Sequence, residues 1–211
     1  MTAPLPLIAS LAALALGYLL GSIPFGLFFA YLSGAGDVRK IGSGNIGATN
    51  VLRTGKKWAA AATLFCDGAK GAAAVLLAQH FLAPGTEIFA ALAAIVGHNF
   101  PVWLRFKGGK GVATFLGISL ALCWQAGVAV AATWLVVAVI ARISSLSALA
   151  ALALSPLYFF LFGARDYTPL ALVLAALIFF MHRDNIRRLL RGEEPRIGAQ
   201  GRIKSKAGHG L

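Results

Sequence analysis

The chain has 211 residues, of which 59% are hydrophobic and only 12% are charged. Soluble proteins carry roughly 25% charged residues, so this chain has too few charges to cover a surface exposed to water. The composition excludes a soluble globular enzyme and a disordered chain, and it predicts an all-α, polytopic integral membrane protein. Its 19 lysines and arginines exceed its 7 aspartates and glutamates, as is typical of a basic cytoplasmic face near anionic lipid.

Six apolar stretches are candidates for membrane helices, because a hydrocarbon core of about 30 Å requires roughly 20 helical residues. They are residues 4–32, 58–82, 88–104, 112–141, 146–162 and 169–181. The last stretch is short, and we expect its helix to extend through His182 towards Leu190. Within the first, the motif GSIPFG at residues 21–26 should kink the helix, because proline removes a backbone donor.

The distribution of basic residues orients these helices. Residues 33–57 hold five basic residues and one acid, and the segment that begins at residue 182 holds eight basic residues and three acids. Three further basic residues lie in 98–111. The positive-inside tendency places these segments in the cytoplasm, and it places the breaks at 84–87 and 163–168, which carry no net positive charge, outside.

The apolar run 112–141 decides the number of helices. As one span it would put the basic C-terminal segment outside, whereas two short, tilted helices that turn near residues 124–127 keep that segment inside. We therefore predict a single domain, residues 1–211, with seven transmembrane helices, the N-terminus outside and the C-terminus in the cytoplasm. A basic cytoplasmic tail covers residues 192–211.

The loop after the first apolar stretch contains GSGNIGATN at residues 42–50, followed by Arg53. It matches the pattern G-x-G-x-x-G, but a dinucleotide-binding fingerprint needs a preceding strand in a βαβ unit, and here a membrane helix precedes it. Glycines let backbone N–H groups converge on an anion, and serine, asparagine and threonine add donors. We interpret the loop as a phosphate cradle, and a flexible connector is the alternative.

A second glycine-rich segment, KGGKG, occupies residues 107–111 and leads into an apolar stretch. It is not a Walker A sequence. It nevertheless places glycines and Lys110 at the N-terminus of a predicted helix, where free amides and the helix dipole favour an anion. A plain basic loop that obeys the positive-inside tendency is the alternative.

The third candidate is the segment HRDNIRRLLR at residues 182–191. His182 and Asn185, at the membrane end of one helix, suit a binding site, and a helix-terminal histidine with satisfied hydrogen bonds is the alternative. The arginines form a separate stripe on such a helix and should contact anionic headgroups. The sequence RISS at residues 142–145 adds a cation and two hydroxyls, and it can equally be a helix end plus an N-cap.

Asp67 and Lys70, three residues apart inside an apolar stretch, are interpreted as a structural ion pair. The acids are too few and too scattered for a two-metal site, and the aromatic residues do not alternate with basic ones. We therefore expect no metal, no cofactor and no nucleic acid. The three candidate segments and the RISS segment instead predict a metal-free site for phosphates at one membrane face, beside an apolar chain.

Six motifs in chain order carry a resemblance to a known family: GSIPFG, DVRKIGSGNIGATNVLR, DGAKG, GHNFPVWLRFKGGKGVAT, ARISSL and HRDNIRRLLRGEE. The chain resembles the bacterial acyl-phosphate:glycerol-3-phosphate acyltransferases, the PlsY family, over essentially its whole length. The resemblance implies a seven-helix fold in the bacterial inner membrane with a site facing the cytoplasm. It also implies transfer of a fatty acyl group from acyl phosphate to the 1-hydroxyl of glycerol-3-phosphate, which yields lysophosphatidic acid and phosphate as the first acylation of phospholipid synthesis. A monomer in contact with membrane lipid is expected.

The resemblance further implies roles for individual residues. Phosphate- and substrate-binding roles fall on Ser43, Gly44, Asn45, Gly47, Gly108, Gly109, Lys110, Gly111 and one of Ser144 and Ser145. Catalytic roles fall on Arg53, His182 and Asn185. Either Glu193 or Glu194 matches a structural acid.

Acyl phosphate is a mixed anhydride with a good leaving group, so a covalent serine or cysteine intermediate is not needed. We hypothesise direct attack of the glycerol hydroxyl on the carbonyl, while loop amides and cations hold two anions and stabilise the oxyanion. The proton passes to the donor's own phosphate, and His182 is the alternative base. An anion transporter and a metal-dependent lipid phosphotransferase are the competing classes, but they favour repeated halves and clustered carboxylates, respectively.

Overall fold

The computed structural model describes residues 6–198, and the regular structure in that range is helical throughout. Within it the α-helices are α1 (Leu7–Gly21), α2 (Phe25–Leu32), α3 (Ala48–Leu52), α4 (Lys57–Phe81), α5 (Glu87–Asn99), α6 (Val112–Leu122), α7 (Trp124–Ala141), α8 (Ser144–Leu161), α9 (Thr168–Met181) and α10 (Arg183–Leu190). Short 3₁₀ helices lie at Val38–Lys40, Val102–Leu104 and Arg165–Tyr167. The predicted all-α class is confirmed. Residues 199–211 of the predicted basic tail lie outside the described residues, as do residues 4 and 5 of the first apolar stretch.

Seven apolar helical segments are present in the described chain. Five are long and apolar enough to cross a membrane: Leu7–Leu32, Lys57–Phe81, Glu87–Leu104, Trp124–Ala141 and Ser144–Leu161. The bent pair of α9 and α10 makes a sixth if it counts as one span. The seventh, α6, has 11 residues and rises only about 17 Å, roughly half the thickness of a hydrocarbon core. These segments make the chain a membrane protein.

Two predicted interruptions are present in the helices. Cys123 has an extended backbone (φ −156°, ψ 100°) and separates α6 from α7, so the run 112–141 forms two helices, with its turn just before the predicted position. At the motif GSIPFG, α1 ends at Gly21 and α2 begins after Pro24. In both places a short non-helical segment redirects a long apolar run.

The last apolar helix does not continue through His182, so that prediction is wrong. α9 ends at Met181, and α10 begins at Arg183 with its axis inclined by 66°. The His182 amide donates to the Ile178 and Phe179 carbonyls at 3.1 and 2.9 Å, which closes the last turn of α9. His182 therefore lies at the junction and does not share a face of α10 with Asn185, and the bend turns the polar side chains of α10 towards the other basic segments.

Glycines bring the helices that carry the site into close contact. A Cβ at Gly21 of α1 would collide with the backbone of Ala94 in α5. A Cβ at Gly117 of α6 would collide with the backbone of Gly68 in α4. This packing holds α5 and α6 in place, and the KGGKG segment lies between these two helices.

The loops gather at two ends of the helix bundle. At one end, the hydroxyls of Thr49 and Ser144 lie 3.1 Å apart although 95 residues separate them. At the other end, the Tyr167 hydroxyl donates to the Glu87 carboxylate at 3.0 Å. The basic segments therefore lie together, as their charge predicts, and the segments without net positive charge lie at the opposite end.

Candidate active site

The asparagine Asn50 holds the first glycine-rich loop together. Its side-chain amide donates to the carbonyls of Val38, Ile41 and Asn45 at 2.8, 3.0 and 2.8 Å. Its Oδ1 accepts from the Ser43 amide at 3.1 Å. Only 2% of Asn50 is exposed, so these bonds form in a region shielded from water. Asn50 was not predicted as an individual site residue, although it lies in the GSGNIGATN motif.

The outer part of the same loop is shaped by a tight turn. Asn45 Oδ1 accepts from the Gly47 amide at 2.8 Å. Gly44 has a left-handed backbone (φ 70°), which suits a glycine. Ser43 and Gly44 remain exposed at the edge of the loop, while Arg53 lies beside it with Nη1 3.4 Å from Asn50 Oδ1. The loop therefore presents a hydroxyl, amides and a guanidinium group at the basic end of the bundle.

The second glycine-rich segment is fastened to the end of α5. The Gly108 and Gly109 amides donate to the carbonyls of Asn99 and His98, each at 3.0 Å. A Cβ at Gly109 would collide with the His98 ring, so a glycine is needed there. Gly111, with φ 92°, directly precedes α6, which places Lys110 at the N-terminus of that helix. His98 and Asn99 were not predicted as site residues, although both lie in the motif GHNFPVW.

Lys110 is a partly buried cation. Its pKa is lowered to about 8, mainly by burial; the guanidinium groups of Arg188 and Arg53 contribute to this lowering, and the Glu194 carboxylate opposes it. Its Nζ donates to Asn185 Oδ1 in α10. Arg53 of the first loop and Arg188 of the last helix therefore both lie close enough to act on Lys110.

Glu194 joins the last segments of the site. Its Oε1 accepts from Ser145 Oγ at 2.7 Å and from Asn185 Nδ2 at 2.5 Å, and its Oε2 accepts from Arg188 Nε at 2.6 Å. Burial raises the pKa of Glu194, but these three hydrogen bonds outweigh that effect and hold it below its usual value. The sequence left Glu193 and Glu194 open as the structural acid, and the geometry favours Glu194.

The two serines that begin α8 face different partners. Ser144 Oγ lies against Thr49 of the first loop, whereas Ser145 Oγ donates to Glu194. Ile143 occupies the N-cap position of α8, so the interpretation of the serines as N-caps is wrong. The pair instead connects the first loop to the C-terminal segment.

His182 is only 3% exposed and lies at the junction between α9 and α10. Its Nδ1 lies 2.8 Å from the Ile178 carbonyl. Because a carbonyl oxygen only accepts, Nδ1 carries the hydrogen in this bond, and Nε2 of the neutral ring is then an acceptor. The ring is thus held in one orientation with a proton-accepting nitrogen.

Several predicted site residues meet in this region. Lys110 bonds to Asn185, and Asn185 and Ser145 both bond to Glu194. The first loop contacts Ser144 through Thr49, and Arg53 acts on Lys110 through its charge. Among residues 6–198, His, Cys, Asp and Glu side chains form no cluster of three that could hold a metal ion.

Fold and site together define a helical membrane protein with a cationic, amide-rich site at one end of its bundle. The sequence model of the family "Glycerol-3-phosphate acyltransferase" matches residues 11–192. The chain belongs to this family. It is 56% identical over 189 residues to the glycerol-3-phosphate acyltransferase of Mesorhizobium japonicum, which covers 90% of this chain and 96% of that relative.

Two solved structures are similar to this fold, both of PlsY (YgiH), an integral membrane glycerol 3-phosphate acyltransferase. The glycerol 3-phosphate form has a TM-score of 0.84 and 39% identity, and the match covers 90% of this chain and 96% of that one. The lysophosphatidic acid form has a TM-score of 0.82 and 38% identity, with 89% and 94% covered.

Proposed function

We propose that this protein transfers a fatty acyl group from acyl phosphate to the 1-hydroxyl of glycerol-3-phosphate. The products are lysophosphatidic acid and inorganic phosphate, and the reaction is the first acylation of phospholipid synthesis. The family and the two ligand forms of the similar PlsY structures support glycerol-3-phosphate as acceptor and lysophosphatidic acid as product. The observation that carries the proposal is the network in which Lys110 bonds to Asn185, and Asn185 and Ser145 both bond to Glu194, beside the first glycine-rich loop.

The charge of this region suits two phosphorylated reactants. The Glu194 carboxylate forms an ion pair with Arg188, so the positive charges of Lys110, Arg53 and Arg188 together exceed the single negative charge of Glu194. One phosphate would be held by the amides at Gly108–Gly111 and Lys110, and the other by Ser43, Gly44, Asn45 and Gly47 with Arg53. Cations and backbone amides bind phosphate without a metal.

The reaction we propose is a direct displacement. The 1-hydroxyl oxygen of glycerol-3-phosphate forms a bond to the acyl carbonyl carbon, and the bond from that carbon to the phosphate oxygen breaks. The leaving phosphate takes the electron pair and the hydroxyl proton. Lys110, Arg53 and the loop amides align the two anions and stabilise the oxyanion. A second route takes the proton to His182 Nε2, which the Ile178 contact leaves as an acceptor.

Placement in the membrane follows the charge. We propose that the basic end faces the cytoplasm at the bacterial inner membrane, that the N-terminus lies outside and the C-terminus inside, and that α6 and α7 form the re-entering pair within a seven-helix topology. The short α6 would then turn within the hydrocarbon layer at Cys123. Because one chain supplies all the interacting site residues, we propose a monomer in contact with membrane lipid as the functional unit.

The test uses the purified protein in lipid nanodiscs with synthetic palmitoyl phosphate and glycerol-3-phosphate, without added magnesium. We expect phosphate release that depends on glycerol-3-phosphate and matches the amount of lysophosphatidic acid formed. Palmitoyl-CoA replaces palmitoyl phosphate in a parallel reaction. Product from the thioester but not from palmitoyl phosphate would refute the proposed donor. Glu87→Gln, at the opposite end of the bundle, is the matched control and should keep wild-type activity.

A further inference from the structure

A buried ion pair lies in α4, and the proposed chemistry does not use it. Asp67 and Lys70 are 3% and 4% exposed, and their charged atoms lie 2.7 Å apart. Burying two charges carries a desolvation cost of several kcal/mol per ion, and such groups are rare inside membrane helices. The contacts of the pair with neighbouring segments of the chain indicate a structural role beyond neutralising each other's charge.

Lys70 reaches the break between α1 and α2. Its Nζ donates to the Ile23 carbonyl at 2.7 Å. The interruption removes the helical partner of this carbonyl, which also accepts from the Phe25 amide at 3.1 Å. The neighbouring Ser22 carbonyl accepts from Trp103 Nε1 at 2.7 Å. Side chains from α4 and from the segment before KGGKG therefore hold the same break.

The break determines where α2 meets the first glycine-rich loop. Gly26, at the start of α2, packs so closely on the Ile46 carbonyl that a Cβ would collide with its oxygen. Leu27 of α2 packs in one cluster with Val38, which precedes the loop, and with Ile46, which lies within it. A displacement at Ile23 would therefore reach the loop at residues 41–47 through α2.

On its other side the pair faces the second loop. Asp67 Oδ1 lies 3.7 Å from His98 Nδ1, so the two buried side chains pack against each other without a hydrogen bond. The His98 carbonyl accepts from the Gly109 amide at 3.0 Å, and its ring fills the space where a Gly109 side chain would be. The position of His98 thus sets the path of the backbone next to Lys110.

We propose that Asp67 and Lys70 are positioning residues that hold the loops 41–47 and 107–111 at the separation the reaction needs. Lys70 acts through Ile23 and α2, and Asp67 acts through His98. This inference rests on the proposed placement of the two phosphates at these loops. A misplacement of about 1 Å costs up to about 100-fold in rate, so loss of the pair should lower kcat strongly.

The experiment compares Lys70→Met, Asp67→Asn and the double variant with the wild type in nanodiscs. Removing both charges also removes the cost of burying them, so the double variant should fold even if a single variant does not. We expect its kcat to fall between about tenfold and about 100-fold with a melting temperature near that of the wild type. Hydrogen exchange at residues 22–25, 41–47 and 107–111 should become faster. Lys70→Arg, which keeps a cationic donor, should recover part of the activity.

Glu87→Gln is the control, because it also removes a buried carboxylate, and it should change neither kcat nor exchange in the two loops. Wild-type kcat and unchanged loop exchange in the double variant would overturn the proposal. So would loss of activity that only parallels a lower melting temperature while loop exchange is unchanged. If the wild type itself does not use acyl phosphate with glycerol-3-phosphate, the proposed function fails, and the exchange measurements still decide whether the pair positions the loops.

Discussion

The pH dependence of glycerol-3-phosphate binding tests the role of Lys110. Burial lowers the pKa of Lys110 to about 8, and only the protonated ammonium attracts a phosphate. One pH unit above that pKa, about one lysine in ten is protonated. If Lys110 binds the acceptor phosphate, KM for glycerol-3-phosphate should be about tenfold higher near pH 9 than near pH 7. A phosphate monoester has its second pKa near 6, so the ionisation of the substrate does not contribute over this range.

Substitution at the same position gives the size of the effect. A hydrogen bond to a charged group contributes about 1.5–3 kcal/mol, and each 1.4 kcal/mol is a factor of ten in affinity. Lys110→Met should therefore raise KM about 10- to 150-fold and remove the alkaline dependence. In Lys110→Arg the guanidinium stays protonated at all accessible pH values, so its KM should be independent of pH.

Initial rates with synthetic acyl phosphate, corrected for phosphate released without glycerol-3-phosphate, provide both kcat and KM at each pH. The correction is needed because acyl phosphates hydrolyse spontaneously in base. A KM for glycerol-3-phosphate that stays constant up to about pH 10 would refute the assignment of Lys110 as the cation that binds the acceptor phosphate. The same alkaline rise in Lys110→Arg would show that another group titrates.

Further predictions concern Glu194, Asn50, His182 and Asn185. Glu194→Gln removes the carboxylate that raises the pKa of Lys110, so the alkaline rise in KM should begin at lower pH, and a shift to higher pH would contradict the assigned contact. The lowered pKa of Glu194 also stabilises the wild type at pH values above the ordinary glutamate pKa of 4.5, and this stabilisation is lost as the pH falls. The melting temperature of Glu194→Gln should therefore depend less on acid than that of the wild type. Asn50→Leu leaves carbonyls of the first loop without their donor, which costs about 1–3 kcal/mol for each buried group. Calorimetry should therefore record a lower melting temperature, and an unchanged melting temperature would contradict the role of Asn50 in holding the loop together. His182→Ala and Asn185→Ala should both lower turnover, because each misplaces neighbouring site groups. If turnover collapses in a pH-dependent way in His182→Ala alone, with substrate binding intact, His182 rather than the donor's phosphate is favoured as the proton acceptor.

The helices and two of their breaks could be predicted because local properties decide them. An apolar run of suitable length forms a helix in lipid, and Pro24 removes a backbone donor where α1 must end. The division of residues 112–141 followed from charge, since a single span would have placed the basic C-terminal segment on the wrong side. These inferences need only the order of residue types along the chain.

The connections within the candidate site could not be predicted in this way. Sequence motifs identified Lys110, Asn185 and Ser145 as members of a site, but the bonds that join them to one another and to Glu194 cross 75 and 49 residues. Which of the two adjacent glutamates accepts these bonds depends on where the chain lies after α10. The same holds for His98, whose backbone carbonyl fixes the second loop and whose ring excludes a side chain at Gly109.

The bend at His182 shows why a local pattern was misleading there. Residues 170–191 contain no proline or glycine, the residues that usually kink a helix, so the sequence favoured one continuous helix. In the structure, the His182 ring bonds to the Ile178 carbonyl, and beyond the bend Asn185 contacts both Lys110 and Glu194. A straight continuation of α9 would carry Asn185 away from these partners, so we infer that tertiary hydrogen bonds, rather than local backbone preference, hold α10 across the end of the bundle.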